Sequence, residues 1–266
     1  MNCKNCHTEL QDNSDFCNSC GGKVIRNRLT FKNLFEHISE TFFNYDNKLL
    51  RTFVDLFKKP ELVIGGYIDG VRKRYVNPIS YFGLALTFTG LYLLILKKFY
   101  PEALDFSNYV MKGQEEFQRR NVTFIQEYMS IFMMLYVPLY AFIARISFMG
   151  LKKFNYTELM VVLIYWQAQT SIITSVIIII VAMLGITQGM ISFIFLPLMI
   201  LYGAYVFKRL YNLSIGQIVL RTFLFLGVLA STMIIITIII VIIMFLTGDL
   251  QELIEAQRAA VEAAKQ

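Results

Sequence analysis

The four cysteines of the chain lie within its first twenty residues, in two pairs that have the same spacing. Each pair has the form Cys-x-x-Cys, which turns two thiolates toward one ion, and two such pairs complete the tetrahedral sulfur shell that zinc prefers. Four sulfurs leave no position for water or substrate, so the spacing predicts a structural Zn²⁺ site rather than a catalytic one. The predicted ligands are Cys3, Cys6, Cys17 and Cys20.

The residues around the cysteines fit such a zinc ribbon. Gly21 and Gly22 follow the second pair and tolerate the positive φ that a tight turn around sulfur requires. Phe16 is predicted to fill the apolar interior between the two turns. His7 directly follows a cysteine, and we expect it on the surface because four thiolates already complete the metal shell.

Two disulfides are the alternative use of four cysteines. Disulfides persist in oxidising compartments, which secreted chains reach through an apolar signal segment. Residues 1–3 begin no such segment, so we expect reduced thiols in the cytoplasm and favour zinc.

The composition of the chain indicates what kind of protein the ribbon belongs to. Of 266 residues, 56% are hydrophobic and 17% are charged, and the mean hydropathy is +0.53, well outside the balance of a soluble domain. Up to residue 77 the chain reads as soluble sequence, and long apolar runs follow. We predict a zinc ribbon at 1–24, cytoplasmic amphipathic helices at 25–77, a transmembrane domain at 78–246 and a helical tail at 247–266.

The apolar runs match the roughly 20 residues that a helix needs to cross a bilayer. The predicted fold class is therefore mainly α, a polytopic helical membrane protein with about five transmembrane helices. The predicted spans are residues 78–96, 128–148, 159–184, 190–206 and 219–246.

The basic residues predict the orientation of these spans. Lysine and arginine concentrate on the cytoplasmic side of membrane proteins, and three short basic clusters fall on one side of the predicted spans. This places the N-terminus in the cytoplasm and the C-terminus outside an inner membrane; the loop at 97–127, which has five basic residues, is discordant. The clusters are Arg72-Lys73-Arg74, which we also expect to anchor the chain on the bilayer surface, Lys152-Lys153, and Lys208-Arg209.

The segment 30–68 has apolar residues at three- and four-residue intervals, which predicts short amphipathic helices beginning near Thr30 and interrupted at Pro60. These helices either lie in the membrane interface or pack on each other as a small soluble domain. The sequence leaves both alternatives open.

Four short motifs lie in and just after this segment: Arg51-Thr52-Phe53, Leu56-Phe57-Lys58-Lys59-Pro60-Glu61, Tyr67-Ile68-Asp69-Gly70-Val71-Arg72-Lys73-Arg74-Tyr75 and Asn77-Pro78. Together they resemble the core motif of a bacterial family of unknown function, domain-of-unknown-function family 3667. Members of that family often join a zinc ribbon to a multi-span membrane region, so the resemblance implies a membrane location and a ribbon, with no catalytic residues to transfer.

The predicted spans contain neither aspartate nor histidine, which disfavours intramembrane proteases that depend on those groups. We therefore expect a protein that is not an enzyme. One polar helical face stands out in the third span, and it either bonds to neighbouring helices or lines a polar path. Its residues are Gln167, Thr170, Ser171 and Thr174.

Two functions of different class follow. The first is a membrane adaptor or scaffold whose ribbon binds a cytoplasmic protein partner. The second is a permease or channel for a small uncharged or lipid-like solute, using the polar face. Because no long basic run is present, we expect no nucleic-acid partner.

Overall fold

A computed structural model describes residues 2–11, 13–22, 24, 48–104, 115–151, 153–248, 251 and 254–255, with the backbone alone at 115–119. The chain divides into two compact units, Met1–Lys48 and Leu49–Gln266. The helix predicted to begin near Thr30, the basic residue Lys152 and most of the helical tail lie outside the described residues.

The first unit is small and is built around the cysteines. Cys3, Leu10 and Cys17 form a buried cluster among its described residues, and an antiparallel bridge joins Asn2 to Glu9. Phe16, predicted to fill the interior, is instead 52% exposed, while Leu10 is 7% exposed. The interior of so small a unit is occupied by sulfur atoms and one leucine, which leaves the phenyl ring outside.

The second unit is helical throughout its described part. A turn of π-helix, Glu61–Gly65, and a short helical turn, Gly66–Ile68, connect its first two helices, and a 3₁₀ turn, Pro101–Leu104, follows the second. The helices are α1 (Lys48–Lys58), α2 (Pro78–Phe99), α3 (Glu115–Glu127), α4 (Met129–Ser147), α5 (Tyr156–Met183), α6 (Gln188–Tyr211) and α7 (Ile215–Thr247).

Five of these helices, α2 and α4 to α7, are long and apolar enough to cross a membrane. The predicted fold class, a mainly helical polytopic membrane protein, is confirmed. The observed helices extend past several of the predicted apolar runs; α5 begins three residues before residue 159, and α6 ends five residues after residue 206.

Polar caps explain where the helices begin. The side chain of Asn77 accepts a hydrogen bond from the backbone N–H of Ser80 at the start of α2. Asn155 with Glu158 forms a capping box at the start of α5, and Ser214 with Gln217 forms another at the start of α7. These caps satisfy backbone N–H groups that the helix leaves unpaired, so each helix starts at its cap rather than at its first apolar residue.

The packed centre of this unit is the pair formed by α2 and α5, with α4 against α5. Tyr81 and Ala85 from α2 meet Tyr165 and Ala168 from α5, and all four side chains are fully buried. By contrast, Ile218 is the one fully buried residue described in α7, so most of that helix presents apolar side chains outward.

Helix α1 belongs to the same packed unit as the membrane helices. Its Leu56 is fully buried, and its last backbone carbonyls accept hydrogen bonds from Tyr202 and Tyr205 of α6. The structure thus places residues 49–77 in one compact unit with the five long apolar helices. The buried face of α1 packs against the spanning helices, and the interfacial placement of this segment stays a prediction.

Candidate metal centre and buried polar core

The four cysteine sulfurs converge on one point in the first unit. One ligand atom from each of the four cysteines lies within 4.8 Å of the others. The Sγ atoms of Cys3 and Cys20 are 3.7 Å apart, and those of Cys6 and Cys17 are 3.5 Å apart. The fold therefore interleaves the two pairs, because each of these contacts joins a cysteine of the first pair to a cysteine of the second.

The two cysteine turns have the same backbone geometry. The N–H of His7 donates to the carbonyl of Cys3 at 2.9 Å, and the N–H of Gly21 donates to the carbonyl of Cys17 at 2.8 Å. His7 and Gly21 both have left-handed φ, +60° and +68°. Gly21 adopts this conformation without strain. The first turn has the exposed His7 at the same position, and histidine is one of the few non-glycine residues enriched at left-handed φ. His7 is not part of the sulfur cluster.

The arrangement fits tetrahedral zinc. A Zn–S bond of about 2.3 Å with tetrahedral angles requires sulfurs about 3.8 Å apart, close to the separations observed here. A disulfide needs about 2.05 Å between sulfurs, and all four cysteines are free. Four sulfur donors at these distances could hold one ion and leave no open coordination position.

Neighbouring polar groups favour the thiolate form that binds metal. The Thr8 hydroxyl lies 3.3 Å from Sγ of Cys6 and, by hydrogen bonding, lowers the pKa of that thiol to about 6. The Asn5 side chain lowers the pKa of Cys20 in the same way. Thiolates are the ligands of zinc, so these contacts prepare two of the four sulfurs for it.

A polar cluster in the membrane unit joins three distant segments. Gln169 of α5 is fully buried; its side-chain oxygen accepts a hydrogen bond from the Tyr81 hydroxyl, and its amide donates to the carbonyl of Phe53 at 3.0 Å. One side chain thus ties α1 and α2 to α5. In hydrocarbon, each of these groups without a partner would cost several kcal/mol, because no water is present to replace it.

Further hydrogen bonds fix the connection that precedes α2. The hydroxyl of Tyr165 donates to the carbonyl of Val76 at 2.7 Å, and the N–H of Val76 donates to the buried hydroxyl of Thr52 at 3.0 Å. Both polar groups of Val76 are therefore paired. We refer to Thr52, Phe53, Val76, Tyr81, Tyr165 and Gln169 together as the Gln169 network.

The four residues of the predicted polar face of α5 lie beside this network and make different contacts. The amide of Gln167 lies 3.4 Å from the Ser171 hydroxyl one turn away, and the Thr170 hydroxyl donates to the carbonyls of Trp166 and Gln167 in its own helix. Thr174 is half-buried. Sequence analysis did not assign Gln169 to a functional face, since it lies off the stripe that the other four residues share.

The predicted membrane anchor follows a turn at Gly70, where φ is +98°. Arg72, Lys73 and Arg74 are exposed, and the guanidinium carbons of Arg72 and Arg74 lie 5.1 Å and 5.4 Å from the ring centres of Tyr67 and Tyr75. The rings hold the two guanidinium groups at the end of the bundle where α2 begins.

Basic residues at the same end hold helix termini. Arg145 donates to the carbonyl of Phe154, and Arg221 donates to the carbonyls of Ser147 and Met149, just past the last turn of α4. Arg221 thereby pairs the carbonyl of Ser147, the last residue of α4, which the helix itself leaves without a partner. Arg145 pairs a carbonyl in the connection between α4 and α5. Lys153 donates to the carbonyl of Leu210 at 2.6 Å in the same manner.

Fold and sites together define a multi-pass membrane protein that carries a separate cluster of four cysteines. Within that class, residues 46–90 match the profile of a family described as protein of unknown function (DUF3667), which confirms the resemblance seen in the sequence. The matched segment contributes Thr52, Phe53, Val76 and Tyr81 to the Gln169 network, so the family motif marks the part of the chain that packs onto α5. No curated protein and no solved structure matches the chain.

Proposed function

We propose that the protein is a non-enzymatic adaptor of the inner membrane that displays a zinc ribbon in the cytoplasm for recognition by another protein. The observation that carries this proposal is the convergence of all four cysteines within 4.8 Å, in a unit that is compact apart from the membrane helices. With four protein ligands, zinc would stabilise a fold and offer no site for chemistry.

The surface of the ribbon supports a recognition role. Phe16 is 52% exposed, although its unit buries Leu10 and two cysteines. Exposed aromatic side chains on a rigid support are the usual anchors of protein interfaces. The zinc would keep the segment around Phe16 rigid, so binding a partner would cost little ordering entropy.

The basic residues support the orientation. Arg72, Lys73 and Arg74 precede α2, Lys153 lies between α4 and α5, and Lys208 lies near the end of α6. Helices that cross the membrane alternately bring these positions to one side, and lysine and arginine mark the cytoplasmic side. That side is reducing, as free thiolates require.

The hydrogen bonding of α5 favours the adaptor over the permease alternative. The hydroxyls of Thr170 and Ser175 donate to carbonyls of their own helix, and Gln167 contacts Ser171 one turn away. A solute path needs polar groups that are available to the solute, and these are used within the helix.

The test is purification of the tagged full-length chain from its native membrane in mild detergent, with zinc and co-purifying proteins quantified together. Cys17→Ser with Cys20→Ser should lose both zinc and the partner. Phe16→Asp should keep zinc and lose the partner, and Glu9→Gln, an exposed change in the same unit, should keep both. An unchanged set of co-purifying proteins in the cysteine and Phe16 variants would contradict the adaptor function.

Orientation is tested separately with two exposed positions on opposite sides of the predicted bilayer. Leu184→Cys, in the turn between α5 and α6, should react in intact cells with a membrane-impermeant maleimide. Met149→Cys, between α4 and α5, should react only after the membrane is opened. The reverse pattern would show the opposite orientation.

A further inference from the structure

A cavity of about 640 Å³ opens at the end of the bundle where α2 begins. Its walls come from the helical turns after α1, the connection between α4 and α5, and the end of α6 with the connection to α7. Hydrocarbon cannot pair charged groups, so the lining suits a charged ligand rather than a lipid chain. Five of the ten lining residues carry a charge: Glu61, Asp69, Lys153, Lys208 and Arg209.

Three of these side chains already have partners within the protein. Arg209 forms an ion pair with Glu61, in which Nε and Nη2 of the guanidinium both donate to the carboxylate. The ammonium of Lys153 donates one hydrogen bond, to the carbonyl of Leu210, and keeps two N–H groups for another acceptor. The ion pair is therefore balanced, whereas the charge of Lys153 is not.

The other two charged side chains, those of Lys208 and Asp69, make no hydrogen bond or ion pair with any described residue. Lys208 is half-buried, and Asp69 is exposed. Apart from the ion pair, two ammonium groups thus line the cavity together with one carboxylate. This surplus of positive charge favours an anion.

The position of the cavity along the bundle indicates which anion it meets. Lys208 is 8.5 residues from the middle of the 24-residue helix α6, about 13 Å at 1.5 Å per residue. With α6 centred in the bilayer, this is close to the edge of the hydrocarbon core, about 15 Å from its centre, where the lipid headgroups begin. Basic pockets between membrane helices at this level bind phosphorylated headgroups.

We propose that this cavity binds a phosphate group, with the ammonium groups of Lys153 and Lys208 paired to its oxygens. Lysine binds phosphate as a point charge and needs no second donor in a fixed orientation. The phosphate belongs either to an anionic phospholipid or to a small soluble phosphate ester. The site is independent of the adaptor function, because it uses no residue of the ribbon.

The first measurement compares a phosphate-bearing lipid with its phosphate-free counterpart. Dihexanoyl phosphatidylglycerol is titrated into the purified full-length protein in an uncharged detergent, with binding followed by calorimetry, and dihexanoylglycerol is the matched probe without phosphate. The phosphate-bearing lipid should bind in a saturable manner and at least about tenfold more tightly, because both lysines attract it.

Glycerol 3-phosphate, which has the phosphate and no acyl chains, distinguishes the two sources in the same measurement. Tighter binding of the lipid would support the proposal and identify a headgroup as the ligand. Tighter binding of glycerol 3-phosphate would support it and identify a soluble ester. If neither bound more tightly than dihexanoylglycerol, the proposal would be wrong.

Two substitutions with opposite expected effects test the charges of the cavity. Lys208→Gln removes an ammonium and should weaken binding of the tighter phosphate probe about 3- to 10-fold. Asp69→Asn removes the repelling carboxylate and should strengthen binding about 2- to 5-fold. The control is Lys97→Gln, at an exposed lysine in the last turn of α2, and it should leave the affinity unchanged.

Equal weakening by Lys208→Gln and Lys97→Gln would overturn the proposal, since it would show a general attraction to a basic protein. So would an Asp69→Asn variant that binds the probe no more tightly than the wild type. Neither Lys208 nor Asp69 uses its side chain to bond to a described residue, so both variants should fold with an unchanged thermal midpoint.

Discussion

The protein contains two polar centres that are built in opposite ways. In the ribbon, four identical donors come from two short sequence-local turns and meet at one point. In the membrane unit, the Gln169 network draws six different residues from segments as far apart as Phe53 and Gln169, 116 positions along the chain. The four sulfurs of the ribbon could together hold an ion, whereas the described members of the network pair with one another.

This difference has a consequence for stability. Thiolates that converge without a cation repel each other, so on the proposed function the ribbon would need a metal ion from outside the chain. The network pairs donors with acceptors among the packed helices, where burial shields each bond from water. The two centres should therefore respond independently to metal and to mutation.

Removal of metal should have the largest effect and should be confined to the ribbon. Structural zinc contributes about 10 to 16 kcal/mol to zinc-finger peptides at neutral pH, far more than a small unit retains without it. A strong chelator should make residues 1–24 sensitive to protease and leave the thermal unfolding of the helices, followed by circular dichroism, unchanged. A lowered helical transition after chelation would show that the two centres are coupled.

Loss of Gln169 should have the next largest effect. Gln169→Leu leaves the Tyr81 hydroxyl without its acceptor and removes the hydrogen bond that ties α5 to the Phe53 carbonyl, and we expect a loss of about 2 to 4 kcal/mol in the free energy of unfolding. The control is Gln167→Leu on the same helix, whose amide contacts Ser171 within α5 and whose loss should cost under about 1 kcal/mol. Equal effects in denaturant titrations would contradict a special role for Gln169.

Tyr165→Phe sharpens the comparison with a smaller change. It removes one hydroxyl that bonds to the Val76 carbonyl and keeps the ring that packs against Tyr67 and Tyr81. We expect a loss of about 1 kcal/mol, measured in the same titration. Tyr128→Phe, at an exposed tyrosine before α4, should have no measurable effect.

The smallest effect is expected at the ion pair between Glu61 and Arg209. Nε of Arg209 donates to Glu61 at 3.0 Å, and this contact lowers the pKa of the Glu61 carboxyl below its ordinary value of 4.5. A lowered carboxyl pKa stabilises the folded state above about pH 4.5, and that contribution is lost as the pH falls through the folded-state pKa. Because both side chains are partly exposed, the contribution is small.

A thermal midpoint series from pH 6 downward checks this pH dependence. Glu61→Gln should lower the midpoint slightly at pH 6 and should flatten the decline between about pH 5 and pH 3. If the variant and the wild type declined in parallel, Glu61 would not be the titrating group.

The features that could be predicted from the sequence are those that depend on residues close together in the chain. The spacing of Cys3, Cys6, Cys17 and Cys20 defines two identical turns, and long apolar runs define helices, because both patterns are set by neighbouring residues. The predicted helix ends differ from the observed ones by a few residues. The prediction followed the apolar runs, whereas caps such as Asn155 lie outside those runs.

The features that sequence analysis missed depend on contacts between distant segments. Gln169 differs from Gln167 only in which way it faces, and that direction is set by the position of α1 and α2 against α5. Likewise, Phe16 and Leu10 are both apolar, and their burial depends on how the two cysteine turns fold together. The one signal in the sequence for the Gln169 network was a glutamine in the third predicted span together with a tyrosine-rich motif before the first span.

Metal content of the purified full-length chain tests the central claim most directly. Elemental analysis should find one zinc per chain in the wild type and in Gln169→Leu, and none in Cys17→Ser with Cys20→Ser, with the co-purifying partner present only where zinc is present. A wild-type chain that binds its partner without zinc would contradict the account.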